Sequence, residues 1–191
     1  MKIYIDFDKT LFDSVRFLED FYRLIEDYDI SREMFNNCRN QYKIKFFRPY
    51  TILDLISKKN SVDKEVYLKV EELINSSSNY LFPDTIPFLK YLKSKKKLVT
   101  ILTRGDYEFQ MSKILNTHID EYYSDVIVTD KHKGELDVDY TNGIFIDDCA
   151  EEINSIISMK PKRVISIQRK GIINSEDVET IATLTELIDN I

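Results

Sequence analysis

Cysteine is scarce in this sequence. Only Cys38 and Cys149 are present and no C-x-x-C pair exists. That removes zinc-ribbon and thioredoxin-type readings and leaves no disulfide framework, which fits a reducing compartment. Long apolar runs are missing too. The run Ile3–Ile5 is far too short for the hydrophobic part of a secretion signal, and nothing later reaches the length of a membrane-spanning helix. The expected location is the cytoplasm, with no membrane partner. Nor is there a strong excess of one charge: 27 basic against 33 acidic residues give a net charge of −6. Such a balance suits solubility and offers no footing for a nucleic-acid polymer. Internal repeats and low-complexity tails are absent. What remains is a 191-residue chain with 43% hydrophobic and 12% aromatic residues, enough to bury the core of one domain with a sizeable insertion.

The organisation changes twice along the chain. "KIYIDF" alternates and is rich in Ile and Tyr, so it reads as a strand. From Ser14 to Leu81 the apolar residues recur at helical spacing. Val15, Leu18, Phe21 and Ile25 share one face, and Val62, Val66, Val70 and Ile74 another, with Ser31 and Ser61 as N-caps. The polar run "NSSSN" ends this block. Beyond "FPDT" helices alternate with short, nearly continuous apolar strands: "KLVTILT", "SDVIVTD", "NGIFIDD", "KRVISIQ" and a short "VETIA". A last helix follows, opened by a Thr183/Glu186 capping box. Strand–helix alternation of this kind argues a mainly parallel sheet covered on both faces. Residues 1–13 and 82–191 form the α/β part, and 14–81 an inserted helical part.

Ligands of open parallel sheets bind beyond the carboxyl ends of the strands. Here those ends carry Asp6-Phe7-Asp8, then Thr103-Arg104-Gly105, then Asp130-Lys131-His132-Lys133, then Asp147-Asp148. Clustered carboxylates repel one another, and a hard divalent cation relieves that repulsion. A carboxylate can attack phosphorus, while a hydroxyl and an ammonium neutralise the oxygens of a transferring phosphoryl group.

"DFDKTLFD", "ILTRGD", "VIVTDKHKGE" and "FIDDCAEEI", in this order, resemble the four motifs of the haloacid dehalogenase (HAD) superfamily. The resemblance implies a Rossmann-like three-layer α/β/α core, with 14–81 in the position of a cap, and a phosphatase-type activity. It implies Asp6 as nucleophile and Asp8 as general acid/base. Mg²⁺ would be held by Asp6, the backbone carbonyl of Asp8, and Asp148, with Asp147 acting through a water or a neighbouring ligand. Thr103 would bind the phosphoryl group, with Arg104 and Gly105 beside it, and a lysine would pair with the nucleophile. Lys131 is preferred because it lies nearer the strand end, with Lys133 as the alternate. Arg48 is the candidate substrate-binding cation of the helical part. Two positions depart from the common pattern: Lys9 stands where glycine is frequent, and Arg104 where asparagine is.

The substrate implied is a small phosphorylated metabolite. A nucleotidase or deoxyribonucleotidase is the rival within the class, since the short stretch between the third and fourth motifs is found there as well. The rival outside the class is a phosphoacceptor or binding module without turnover. Asp8, an extra acid two residues beyond Asp6, favours the enzyme over that module.

Overall fold

A computed structural model describes residues 1–28, 30–41, 46–58, 63–169 and 178–191. Their regular elements are β1 (Lys2–Ile5), α1 (Ser14–Ile25), α2 (Arg32–Gln41), α3 (Pro49–Ser57), α4 (Lys64–Asn75), α5 (Thr85–Ser94), β2 (Leu98–Arg104), α6 (Tyr107–Leu115), β3 (Asp125–Thr129), β4 (Gly143–Asp147), α7 (Ala150–Ile157), β5 (Arg163–Ile167) and β6 (Glu179–Ile181). No described helix is long and apolar enough to cross a membrane.

The six strands form one parallel sheet in the order β3-β2-β1-β4-β5-β6, a Rossmann-like α/β arrangement with flanking helices. β1 lies in the middle, which explains its composition. A strand paired on both edges and covered on both faces is largely apolar, and Ile3, Tyr4 and Ile5 are all buried, with the part-buried Lys2 only at its start. One face of the sheet packs Tyr4, Leu102 and Phe145 against Tyr140 and Ile156 of α7, with Tyr4 and Tyr140 meeting edge to face at 5.0 Å. The chain leaves β1 toward β2 and β3, then returns to the other side of β1 as β4. The reversal of strand order therefore falls between β1 and β4. Register does the rest. Ile5 pairs with Ile146, and the Asp6 amide donates to the Ile146 carbonyl at 2.9 Å. Asp6 and Asp147, the next residues on two adjacent parallel strands, are thereby set side by side.

The chain divides into two compact units. One comprises Met1–Asp13, Leu81–Arg104 and His118–Ile191; the other comprises Ser14–Tyr80 and Gly105–Thr117. The second unit is helical. α1 buries Phe17, Phe21 and Ile25, and α4 buries Val66, Val70 and Ile74, each set at i, i+4, i+8 on one face. Residues 105–117, which sequence pattern groups with the α/β part, pack here. Phe109 of α6 lies against Phe17 and Phe47, and the Asn116 carbonyl accepts from the Ser78 amide. Ser31 caps α2 by accepting from the Met34 amide at 3.1 Å. The expected Ser61 cap lies outside the described residues. At the far end the Thr183/Glu186 capping box forms, but it opens only a single 3-10 turn, Leu184–Leu187, rather than a full helix.

Candidate active site

Everything at this site belongs to the α/β unit. β1 delivers Asp6 and then stops, because the chain turns sharply. The Phe7 carbonyl accepts from the amides of Leu11 and Phe12, both at 2.9 Å, and Lys9 N–H donates to the Phe12 carbonyl at 2.7 Å. Lys9 adopts φ 61, in the left-handed region. That conformation suits glycine and strains other residues, so Lys9 holds it at a cost. Asp8 sits half-buried within this turn. The turn is pinned from behind by Arg169. Its guanidinium donates to the Thr10 carbonyl at 2.5 Å and to Asp84 at 2.6 Å, and Asp84 also accepts from the Leu184 amide.

Three carboxylates converge where β1 and β4 end. One oxygen from each of Asp6, Asp147 and Asp148 falls within 4.8 Å of the others. Between them stands a lysine, and it is Lys133. Its ammonium donates to Asp6 Oδ1 and to Asp147 Oδ2, both at 2.6 Å, with the side chain only 1% exposed. Lys131, preferred from its nearness to the strand end, is exposed on a turn in which the Thr129 hydroxyl accepts its backbone N–H at 3.0 Å. That turn carries Lys131 outward. The following 3-10 turn, Lys133–Glu135, brings the next lysine back. The correction has a physical reason: two lysines two residues apart share a face only while the chain is extended, and here it is not.

Charge sets the electrostatics. Burial pushes Asp6 up from 3.8 to about 7, against the pull of Lys133 and with Asp147 and Asp8 adding to the rise. Burial, then the Asp6 charge, pushes Asp148 up to about 6. Asp147 is raised by burial as well. Burial works against the Lys133 ammonium, but the two carboxylates outweigh it and hold the group charged well above the ordinary lysine range. Lys9, on the exposed side, reaches Asp148 Oδ2 at 3.1 Å. The buried Asp6 and Asp147 and the part-buried Asp148 face two ammonium groups, so the cluster carries a negative excess when all three carboxylates are ionised.

This donor set fits a magnesium ion: oxygen donors only, with no His or Cys among the clustered groups. Both oxygens of Asp147 are engaged, Oδ2 by Lys133 and Oδ1 by the Cys149 amide at 2.8 Å. Asp147 is therefore suited to steady its neighbours, and Asp6 and Asp148 to bind a cation directly.

The other candidates are placed differently. Thr103 is buried, its backbone paired with Val128 near the end of β2. Arg104 turns to Glu152, donating from Nη1 to Oε1 at 3.0 Å. At Gly105 a Cβ would come within 2.5 Å of the terminal amide nitrogen of the Gln110 side chain, which would have to shift to admit it. Arg48 also belongs to the helical unit, where it forms an ion pair of 2.5 Å with the buried Asp106. That pair lies on the wall of a cavity of about 380 Å³, lined among others by Tyr50, Glu71 and Phe109. Two contributors had no role in the sequence reading. Glu152 accepts the Lys133 amide at 2.8 Å, and Arg169 pins the Asp6–Asp8 turn. Glu152 had a faint signal, an acid four residues beyond Asp148 on the first turn of a helix. Arg169 had none.

The model of the haloacid dehalogenase-like hydrolases matches residues 3–156. Solved structures share the fold at low identity. A HAD phosphatase from Thermococcus onnurineus is 21% identical with a TM-score of 0.73, over 98% of this chain and 96% of that one. A haloacid dehalogenase-like family hydrolase from Xanthomonas campestris is 12% identical with a TM-score of 0.68, over 99% and 89%. A magnesium-bound Bacillus subtilis protein ascribed to the HAD hydrolases is 15% identical with a TM-score of 0.67, over 100% and 98%. No curated protein matches the sequence.

Proposed function

The chain belongs to the haloacid dehalogenase-like hydrolase family, and on that basis we propose that it is a Mg²⁺-dependent phosphatase acting on a small phosphomonoester through an aspartyl-phosphate. The observation that carries this reading is the buried Lys133 ammonium between Asp6 and Asp147, with Asp148 alongside. For dehalogenation the second acid of the first motif, Asp8, and the metal-binding acids would be superfluous, whereas a phosphoryl group brings negative oxygens that need a metal and a fixed cation beside the nucleophile.

The proposed roles are those the family resemblance implies, and the meeting of Lys133 with Asp6 supports them. A carboxylate oxygen of Asp6 attacks phosphorus, the phosphorus–oxygen bond to the leaving group breaks, and Asp8 gives its proton to the departing oxygen. Water then attacks the same phosphorus, Asp8 takes its proton, and Asp6 is released with inorganic phosphate. Lys133 keeps Asp6 oriented and offsets charge on the phosphoryl oxygens, and the Thr103 hydroxyl binds one of them. Asp6, the Asp8 carbonyl and Asp148 would hold a magnesium ion, which would supply charge neutralisation of the phosphoryl group. The helical stretch 14–81 is read as the cap that selects the leaving group.

The test is phosphate release from p-nitrophenyl phosphate and from a panel of phosphorylated metabolites, with Mg²⁺ and with a chelator. Hydrolysis that requires Mg²⁺ and disappears in Asp6→Asn is expected. Hydrolysis indifferent to both changes counts against the reading.

A further inference from the structure

We infer that Glu152 is the positioning residue that aims Lys133 at Asp6, and that Arg104 is its brace rather than a substrate contact. The inference rests on the phosphatase reading for what Lys133 does there.

A lysine side chain is long and flexible, so its aim depends on how firmly its own backbone is held. The Lys133 turn is anchored on α7 at two points. Its N–H donates to Glu152 Oε2 at 2.8 Å, and the Gly134 N–H donates to Ser155 Oγ at 3.2 Å. Tyr140 adds a third tie, its hydroxyl donating to the Lys133 carbonyl at 2.8 Å. At Gly134 a Cβ would come within 2.3 Å of the Ser155 carbonyl oxygen, so the turn lies directly on the helix.

Glu152 is itself buried, and a buried carboxylate must be compensated or it turns away. Oε1 supplies that compensation. It accepts from Arg104 Nη1 at 3.0 Å and from His132 Nδ1 at 2.9 Å, which requires the proton on that ring nitrogen. These donors, with the Lys133 amide, hold the carboxyl below the ordinary glutamate range despite its burial. One side chain thus ties three segments together: the end of β2, where Arg104 follows Thr103; the turn carrying Lys133; and the helix that follows Asp147 and Asp148. With both oxygens engaged, Glu152 is unsuited to bind a metal.

The two roles of Arg104 separate kinetically. A substrate contact predicts that Arg104→Gln raises KM and spares kcat. A brace predicts that kcat falls about tenfold or more, since small misplacements of a catalytic group are costly, while KM stays within about threefold. Arg104→Lys, which still offers a charged N–H to Oε1 where glutamine offers only a neutral, shorter amide, should recover most of the loss. Hydrogen exchange supplies a readout independent of turnover. The amides of residues 131–136 should exchange faster in Arg104→Gln and in Glu152→Gln than in the wild type. Unchanged kcat, a pure KM effect, or unaltered exchange would each overturn the inference. If Glu152→Gln does not fold, Arg104→Gln, at a partly exposed position, carries both readouts. If the wild type hydrolyses no phosphomonoester, the proposed function falls, while the exchange comparison still decides whether Arg104 braces the turn.

Discussion

The Lys133 ammonium lies 2.6 Å from Asp6 Oδ1 although the two residues are separated by 127 positions in the chain. Neither could stay there alone. An isolated charge in that burial would shift its pKa and neutralise, so the pair exists because each compensates the other. Removing the lysine should therefore do more than remove a cation. Lys133→Ala is expected to lower kcat/KM by about 10²-fold or more, and Lys131→Ala to leave it near the wild-type value. Steady-state kinetics on the two variants checks this. Equal, small effects would mean that the ammonium is not needed for turnover.

The two aspartates of the first motif should differ in kind. Asp6→Asn removes the proposed nucleophile, and turnover should vanish. Asp8→Asn should lower kcat by about 10²–10⁴-fold while Mg²⁺ affinity by titration calorimetry stays close to wild type, since a backbone carbonyl survives the change.

Metal and pH should act on stability together. In the metal-free protein Asp6 lies at about 7 and Asp148 at about 6, both above their ordinary 3.8. The folded state then holds more protons than the unfolded chain across that interval, so stability falls as pH rises from about 4 to about 7. Metal-free protein should show a higher Tm at about pH 5.5 than at about pH 7.5. Saturating Mg²⁺ should raise Tm more at the higher pH, because the ion binds the ionised carboxylates. Calorimetric scans at the two pH values, with and without the ion, give the answer. A Tm rising with pH in chelator would contradict it.

Gly134→Ala tests the seat of the lysine turn. Its new methyl would lie 2.3 Å from the Ser155 carbonyl oxygen, and backbone cannot yield there without moving the turn. A loss of about 1–3 kcal/mol is expected, read from the urea midpoint, together with a fall in kcat.

Much of the architecture is legible because sheet strands and amphipathic helices carry different periods. β1, β2, β4 and β5 read as strands since each is a short run of Ile, Val, Leu and aromatic residues closed by polar ones. Asp6 and the Asp147–Asp148 pair are conspicuous for the same reason, as acids directly after apolar runs. The site lysine is not legible, because a single turn at residues 130–132 decides which of two lysines points inward. Glu152 hides as an ordinary first-turn acid, and Arg104 as an ordinary strand-end cation; only the spatial meeting of β2, the 3-10 turn and α7 gives them meaning. The packing of residues 105–117 with the helices of 14–80 depends on Phe109 finding Phe17 and Phe47, contacts that no local pattern encodes.

The central place of β1 bears on how the molecule is made. It is made before both of its neighbours, which begin at Leu98 and Gly143. Until the ribosome has delivered them, a short strand carrying Ile3, Tyr4 and Ile5 must wait with both edges open, and contacts this distant in sequence form slowly. Asp6 is thus translated before the strands that seat it, and a nascent chain stopped before Gly143 would leave it without Asp147 and an edge of β1 free for another chain.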